Sequence, residues 1–233
     1  MPSISLITYC KGRKHEAEEY VPAALAALSD LDELVFVDYD DPGESGRWVR
    51  DLAEERVTVV RIADMEWFHV NHARNLGGLA AVGDILVFSD VDFLVSPELI
   101  RECRCLPLRS YCVQPDDLGS LGFVVCLRAD FVELNGWEEA FVGYGRDDLH
   151  FHECLDSLGR TAVLMRTRLV PVPRQGEQVR ILGVSQNISA AFNSRLSRAL
   201  RMMHSYRMNI GRNWGKGGRF LCRSKLSEET GHG

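Results

Sequence analysis

Short apolar runs alternate with amphipathic segments of helical period over the first two thirds of the chain. This alternation predicts an α/β architecture with a mostly parallel sheet. Residues 85–88 are apolar without a break, as expected of a strand that helices cover on both faces. The pattern predicts strands over residues 3–9, 33–38, 57–62 and 85–89, and helices over residues 14–28, 47–55 and 71–81.

The last third of the chain has a less regular pattern. Ser96 is a predicted N-cap for a helix that runs to about Cys103. Further strands are predicted over residues 110–114, 122–127 and 162–168, and helices over residues 130–134, 146–158 and 187–203. Two prolines and two glycines within residues 169–186 predict a loop that can order over a ligand.

Asp90 and Asp92 directly follow the apolar run that ends at Phe88. Side chains repeat every second residue in an extended chain, so both carboxylates lie on one side of it. Hard oxygen ligands at this spacing suit Mg²⁺ or Mn²⁺, which usually keep some waters and take further ligands from substrate phosphates. The pair therefore predicts a cation site for a phosphorylated ligand. The alternative is an acidic loop that caps the next helix.

Residues 135–148 form a second unusual segment, rich in glycine and aromatic residues and ending in paired carboxylates at a predicted helix N-terminus. Aromatic side chains on a loop offer flat apolar surfaces on which sugar rings or bases can stack. Carboxylates in a first helical turn are also favoured by the helix dipole. A purely structural capping role for Asp147 and Asp148 therefore stays open at this point.

Charge is distributed unevenly along the chain. The net charge is −6, yet residues 195–225 carry nine Lys and Arg and no acidic residue. A basic tail on an acidic body suggests an anionic partner, such as donor phosphates, an acidic acceptor, RNA or a lipid surface. The alternative is a basic helix that docks on the acidic body of the same chain.

The cysteines and the apolar runs bear on the location of the protein. Seven cysteines, an odd number without a framework spacing, fit reduced thiols better than disulfides. The sequence contains no apolar run of about 18 residues that would span a membrane, and its N-terminus lacks the pattern of a secretory signal. We therefore expect a cytoplasmic protein without a transmembrane segment.

Five motifs in a fixed order carry a family resemblance. They are Tyr-Cys-Lys-Gly-Arg at residues 9–13, Val-Asp-Tyr-Asp at 37–40, Ala-Arg-Asn-Leu-Gly at 73–77, Asp-Val-Asp at 90–92, and the segment 135–148. This order resembles inverting glycosyltransferases of the GT-A fold over roughly residues 3–160. It is most similar to those with a galactosyltransferase-type C-terminal part, such as β-1,4-galactosyltransferases and chondroitin polymerase modules.

The resemblance implies a fold and a division of the chain. The expected fold is α/β, with the Rossmann-like mixed sheet of the nucleotide-diphospho-sugar transferases flanked by helices. Residues 1–170 would form the catalytic domain, with a nucleotide-binding half at about 1–95 and an acceptor half at about 96–170. Residues 171–233 would add a loop, a helix and a basic tail that pack on or close the active site.

The resemblance also implies residue roles. Asp90 would contact the donor ribose and the metal, Asp92 would bind Mn²⁺ or Mg²⁺, and Asp148 would be the catalytic base with Asp147 beside it. Asp147 stands where the family usually has Glu, and Arg146 where it usually has Gly. The other implied donor-site residues are Thr8, Tyr9, Arg13, Asp38, Arg74 and Val91; Trp137, Tyr144 and Arg146 would contact acceptor or sugar, and His204 would be a further metal ligand.

The sequence thus predicts a metal-dependent inverting transferase that moves a sugar from a nucleotide-sugar, by resemblance a UDP-sugar, to an acceptor hydroxyl. Two alternatives remain. A HAD-like phosphatase also places Asp-x-Asp after a buried strand. A non-catalytic nucleotide- or RNA-binding module could use the basic tail with Tyr206 and Trp214 as stacking platforms. The basic tail is equally compatible with a peripheral membrane contact.

Overall fold

The computed structural model describes residues 1–115, 121–173 and 185–216, and the backbone of residues 219–224. These residues form one large sheet, one two-stranded sheet and seven helices. The strands are β1 Ile4–Cys10, β2 Glu33–Tyr39, β3 Val57–Ala63, β4 Ile85–Phe88, β5 Phe93–Leu94, β6 Ser110–Val113, β7 Val124–Leu127, β8 Thr161–Leu164, β9 Val170–Pro171 and β10 Arg219–Ser224. The helices are α1 Lys14–Ala27, α2 Ser45–Asp51, α3 Val70–Ala80, α4 Pro97–Arg104, α5 Arg128–Glu133, α6 Asp147–Ser157 and α7 Gln186–Met202.

The large sheet has the strand order β10-β3-β2-β1-β4-β7-β6-β8. Strands β7 and β10 run opposite to the other six, so the sheet is mixed but mostly parallel. Helices flank this sheet, which confirms the predicted α/β class. The carboxyl ends of β1 and β4 lie side by side because Ile7 pairs with Phe88. In open α/β sheets a ligand crevice forms at such ends.

A hydrophobic core lies on each face of the sheet. One core combines Tyr20 of α1 and Leu99 of α4 with strand residues, and the other combines Leu76 of α3 and Phe151 of α6 with the opposite strand faces. Every residue of β1 and β2 is consequently buried. This explains why the central strands read as continuous apolar runs in the sequence.

Several elements differ from the sequence-based expectation. The predicted strand over residues 162–168 ends at Leu164, because the backbone N–H groups of Arg166 and Thr167 donate to the Glu102 carboxylate instead of to a neighbouring strand. The short pair β5–β9 was not predicted. Neither was β10, which pairs antiparallel with β3 although it lies in the segment predicted to be a basic tail.

Observed helix ends agree closely with the predicted ones where a side chain caps the helix. The Ser96 side chain accepts a hydrogen bond from the Leu99 N–H and begins α4, as predicted. Most of the predicted loop over residues 169–186 lies outside the described residues. Within the described part of the chain, no helix is both long enough and apolar enough to cross a membrane.

Candidate functional site

A cleft of about 380 Å³ opens at the carboxyl ends of β1 and β4. Its walls come from the ends of these strands, from α3 and from the segment that precedes α6. The lining residues are Tyr9, Lys11, Arg13, Phe68, Val70, Arg74, Asp90, Val91, Asp92, Leu121, Gly122, Gly143, Tyr144, Gly145, Arg146, Asp147, Asp148 and Leu149. The cleft therefore gathers side chains from both of the motif-rich segments that the sequence singled out.

Asp90 and Asp92 both line the strand side of the cleft. The Tyr9 hydroxyl donates to an oxygen of Asp90, and Arg13 donates to Asp92 Oδ1 over 2.7 Å. Two carboxylates in one cleft are the hard donors that Mg²⁺ or Mn²⁺ prefers, and such an ion completes its shell with water and substrate phosphates. In the described part of the chain no three His, Cys, Asp or Glu side chains gather into a fuller ligand set. The carboxylate oxygens thus fit a cation whose remaining ligands come from a bound diphosphate.

Arg74 on α3 connects the two sides of the cleft. Its Nε donates to the Tyr9 hydroxyl over 3.0 Å, and its Nη1 lies 3.1 Å from Asp147 Oδ2 and 2.8 Å from Asp148 Oδ1. The side chain is almost fully buried, which lowers the pKa of the guanidinium, but Tyr9 and the carboxylates outweigh burial and hold that pKa above its ordinary value. A permanent cation therefore lies between the strand carboxylates and the α6 carboxylates.

Asp147 and Asp148 begin α6 and differ in their surroundings. The Asp147 side chain is 9% exposed and that of Asp148 is 25% exposed. Burial, with a further contribution from the charge of Asp148, raises the pKa of Asp147 to about 7, although Arg74 acts in the opposite direction. Asp148 is thus the more accessible carboxylate of the pair and Asp147 the one whose ionisation is costly.

The turn before α6 adopts left-handed backbone conformations. Gly145 has a φ of 95° and Arg146 a φ of 72°. This region favours glycine, which agrees with the glycine that the resemblance implies at the position of Arg146. The Arg146 guanidinium lies 3.4 Å from Glu153 Oε1 and 3.3 Å from Ser197 Oγ. Arg146 lines the cleft while Glu153 of α6 partly balances its charge and the Ser197 hydroxyl of α7 accepts a hydrogen bond from it.

Helix α7 holds the rest of this loop through buried polar side chains. Asn193 accepts a hydrogen bond from the Val142 N–H and donates to the carbonyl oxygens of Val142 and Tyr144. The Ser189 hydroxyl accepts from the Tyr144 N–H over 3.0 Å. These bonds satisfy backbone groups of a glycine-rich segment that has no strand or helix partner of its own.

Trp137 does not line the cleft, which corrects its predicted role at the acceptor. Its ring is fully buried and stacks on Phe151 with a centroid distance of 3.9 Å, and the Arg74 guanidinium lies 4.2 Å from the centre of the indole. The indole therefore forms a cation–π contact with the buried Arg74 guanidinium. Tyr144, the other predicted aromatic, lines the cleft and is 51% exposed.

Thr8 and Asp38 are also placed differently from the prediction. Thr8 is fully buried within β1, and Asp38 is 2% exposed and accepts a hydrogen bond from the Arg61 side chain over 2.9 Å. Gly46 approaches Asp38 so closely that a Cβ there would lie 2.4 Å from the Asp38 Cβ. Neither side chain lines the cleft, so direct nucleotide contacts from these two residues have no support in the structure.

His204 is not brought to the two carboxylates. Helix α7 ends at Met202, and His204 takes a left-handed φ of 49° in the turn that follows. This turn directs the chain toward Met208, whose N–H donates to the Leu134 carbonyl. The predicted metal-ligand role of His204 is therefore not supported.

Several residues of the site carried no assigned role in the sequence. Lys11 lines the cleft and donates to the backbone oxygens of Asp40 and Met65. Asn71 accepts from Arg74, and Asn75 bonds the backbone N–H and C=O of Trp137. The sequence did contain a signal for the α3 residues. Asn and Arg recur there at spacings of three and four residues, which puts them on one face of the helix, and polar side chains on a buried face need hydrogen-bond partners.

Comparisons with known proteins agree with this geometry. Residues 5–103 match the family described as glycosyl transferase family 2. A search of curated protein sequences finds no significant match. A mannosyltransferase from Pyrobaculum calidifontis, solved with GDP-Man and Mn²⁺, is 20% identical with a TM-score of 0.58 over 70% of this chain and 55% of its own. The chain thus spans about half of that relative's length.

Two further solved structures are similar. The catalytic domain of Drosophila β1,4-galactosyltransferase 7, solved with xylobiose, is 16% identical with a TM-score of 0.59 over 85% of this chain and 80% of its own. TarS of S. aureus, solved with UDP-GlcNAc, is 13% identical with a TM-score of 0.60 over 76% of this chain and 60% of its own. None of these matches supports the phosphatase alternative or the non-catalytic alternative. Residues 5–103 thus match glycosyl transferase family 2, and the chain has the GT-A fold of these glycosyltransferase structures, the fold that the order of its motifs predicted.

Proposed function

We propose that the protein is a metal-dependent inverting glycosyltransferase that moves a sugar from a nucleotide-sugar, most simply a UDP-sugar, to an acceptor hydroxyl. The observation that carries this proposal is the single cleft shared by Asp90 and Asp92 on one wall and Asp147 and Asp148 on the other. A diphosphate needs a metal ion held by carboxylates, and a nucleophilic hydroxyl needs a base. The wall with Asp90 and Asp92 would supply the first, and the wall with Asp147 and Asp148 the second. Arg74 links these walls.

The donor side consists of Tyr9, Arg13, Asp90, Val91 and Asp92. Asp92, assisted by Asp90, would hold Mn²⁺ or Mg²⁺, and the bound ion would neutralise charge on the departing nucleoside diphosphate. Arg13 and Arg74 line the cleft and, as permanent cations, would add hydrogen bonds to phosphate oxygens. The preference for UDP rests on the resemblance, since the similar structures contain GDP-Man as well as UDP-linked sugars.

The acceptor side consists of Tyr144, Arg146, Asp147 and Asp148. Asp148 is the proposed general base, because it is the accessible carboxylate of the pair and matches the family's base position. It removes the proton from the acceptor hydroxyl while the oxygen attacks the anomeric carbon from the face opposite the leaving group, which inverts the configuration. Arg146 favours an acceptor with an anionic group near the reacting hydroxyl.

This division agrees with the proposed organisation of the chain. Residues 1–95 contribute the donor wall, residues 96–170 the acceptor wall, and α7 within residues 171–233 packs on the acceptor loop through Asn193. The described residues of this C-terminal part thus support the site without lining the cleft.

Calorimetric titration tests the donor side directly. The purified protein is titrated with UDP, GDP, UDP-sugars and GDP-mannose, each with and without Mn²⁺. We expect binding of one nucleotide class that requires the metal and is lost in Asp92→Ala but kept in Asp51→Ala, which removes an exposed carboxylate outside the cleft. Absence of nucleotide binding with any metal would refute the proposed function.

A further inference from the structure

Helix α7 has its polar side buried. Ser189, Asn193 and Ser197 follow one another at a spacing of four residues, and all three are at most 2% exposed. At 3.6 residues per turn these positions share one face, which packs on the loop before α6 and on Arg146. The opposite face of the helix is therefore the one that faces solvent.

The solvent face of α7 carries large apolar side chains. Ile188 is 69% exposed, Phe192 is 51% exposed and Met202 is 77% exposed. The spacings of four and fourteen residues from Ile188 put all three on one stripe of the helix, with Arg195 between them. Such a stripe is usually directed at a protein core, but here it is on the outside. Met203 and Ile210, which follow the end of the helix, are also exposed.

The apolar stripe lies in a segment of uniform positive charge. Residues 185–216 contain six Lys and Arg and no Asp or Glu. Arg201 pairs with Glu153 and Arg212 pairs with Glu138, both from other elements. Arg195, within the stripe, and Arg198, beside it, are exposed and form no ion pair within the described residues. The surface thus combines exposed apolar residues with unneutralised cations.

We propose that this face of α7 docks on an anionic membrane surface. A helix of this composition lies in the membrane interface, with its apolar side chains among the acyl chains and its arginines at the lipid phosphates. A nucleic acid would use the arginines but not the exposed Ile188 and Met202. A second copy of the chain would bring two positively charged faces together.

Membrane docking through α7 would bear on the acceptor. The same helix holds the loop of Val142 and Tyr144 beside the cleft, so the acceptor side of the cleft would be tied to the membrane-bound element. This consequence for the acceptor rests on the proposed function, whereas the membrane contact does not.

Vesicle flotation tests the contact without any assay of sugar transfer. The full chain is mixed with vesicles of phosphatidylcholine alone, or of phosphatidylcholine with phosphatidylglycerol. One variant combines Ile188→Ser with Phe192→Ser and another combines Arg195→Gln with Arg198→Gln, all at exposed positions outside the cleft. Leu108→Ser is the matched control, because Leu108 is 93% exposed in another part of the molecule.

We expect binding to the phosphatidylglycerol vesicles only, and a loss of about ten-fold or more in partition coefficient for each double variant. Leu108→Ser should bind as the unsubstituted chain does. The proposal is overturned if neither vesicle binds the protein, or if the serine variant binds as well as the control. It is also overturned if the chain forms a dimer that the serine variant abolishes, or binds RNA without binding vesicles. Nucleotide titration on the same samples separates failure of the membrane contact from failure of the proposed function.

Discussion

Asp147 makes the stability of the protein fall as pH rises, and Asp147→Asn should remove this dependence. Burial and the neighbouring Asp148 charge raise the pKa of Asp147 to about 7 in the folded protein, whereas an unfolded chain gives an Asp pKa of about 3.9. Between these two values the unfolded chain has released the proton and the folded chain has kept it. The folded state binds more protons, so the free energy of unfolding falls as pH rises through this window and stays low above it.

The size of the effect follows from the two pKa values. One proton contributes about 1.4 kcal/mol per pH unit, and the window is about three units wide, which gives a penalty on the order of 4 kcal/mol above pH 7. Asparagine is neutral and nearly isosteric, so Asp147→Asn removes the penalty and keeps the volume. We expect the variant to match the unsubstituted chain near pH 4 and to exceed it in stability by up to about 4 kcal/mol near pH 8.

Urea denaturation followed by circular dichroism at a series of pH values measures this difference. The comparison of the two proteins cancels the titration of groups that do not contact Asp147. Asp51→Asn, at an exposed position, controls for the loss of one carboxylate from the chain. Parallel curves for the unsubstituted chain and Asp147→Asn would show that Asp147 ionises as readily in the folded state as in the unfolded one, and the argument from burial would then be wrong.

Three further predictions concern the site and its support. Asp148→Asn should reduce sugar transfer by about a hundred-fold or more with donor affinity retained in calorimetry, and near-normal turnover would exclude Asp148 as the base. Asn193→Ala removes three hydrogen bonds to the acceptor loop, so kcat/KM for the acceptor should fall about ten-fold or more while donor affinity is unchanged; equal losses for both substrates would indicate general misfolding instead. Gly136→Ala and Gly159→Ala both place alanine at a φ near 70°, but only the first brings a Cβ within 2.4 Å of another side chain. Thermal unfolding should show about 1 kcal/mol lost for Gly159→Ala and clearly more for Gly136→Ala.

The alternation of strands and helices in the first hundred residues was predictable because each element has a local signal. The central strands are apolar without a break, and α4 begins at a serine that caps it. The family resemblance also placed the two carboxylate pairs in one site, and Asp90 and Asp147 both line the cleft. Strand β10 was not predictable, since six residues that pair along an exposed edge need no apolar pattern.

Burial of single side chains on loops was the least predictable property. Trp137 lies in an aromatic and glycine-rich loop, and from sequence such a residue is equally suited to stacking on a sugar and to filling a core. What decides its role is Phe151, fourteen residues further along, which stacks on the indole once α6 packs against the sheet. Thr8 and Asp38 were expected at the donor site from the family resemblance, yet a shift of one residue along a strand moves a side chain to the other face.

Helix α7 shows that the buried face of a whole helix can also be unpredictable from sequence. Its strongest apolar periodicity runs through Ile188, Phe192 and Met202, and periodicity alone would direct that stripe inward. The structure instead buries the stripe of Ser189 and Asn193, because the loop before α6 has backbone groups that no other element satisfies. Leaving those groups unpaired in a buried place would cost more than leaving apolar side chains in water. The requirement to hold the acceptor loop therefore decides which face of α7 is turned inward, and the apolar stripe remains outside, where an anionic membrane can bind it.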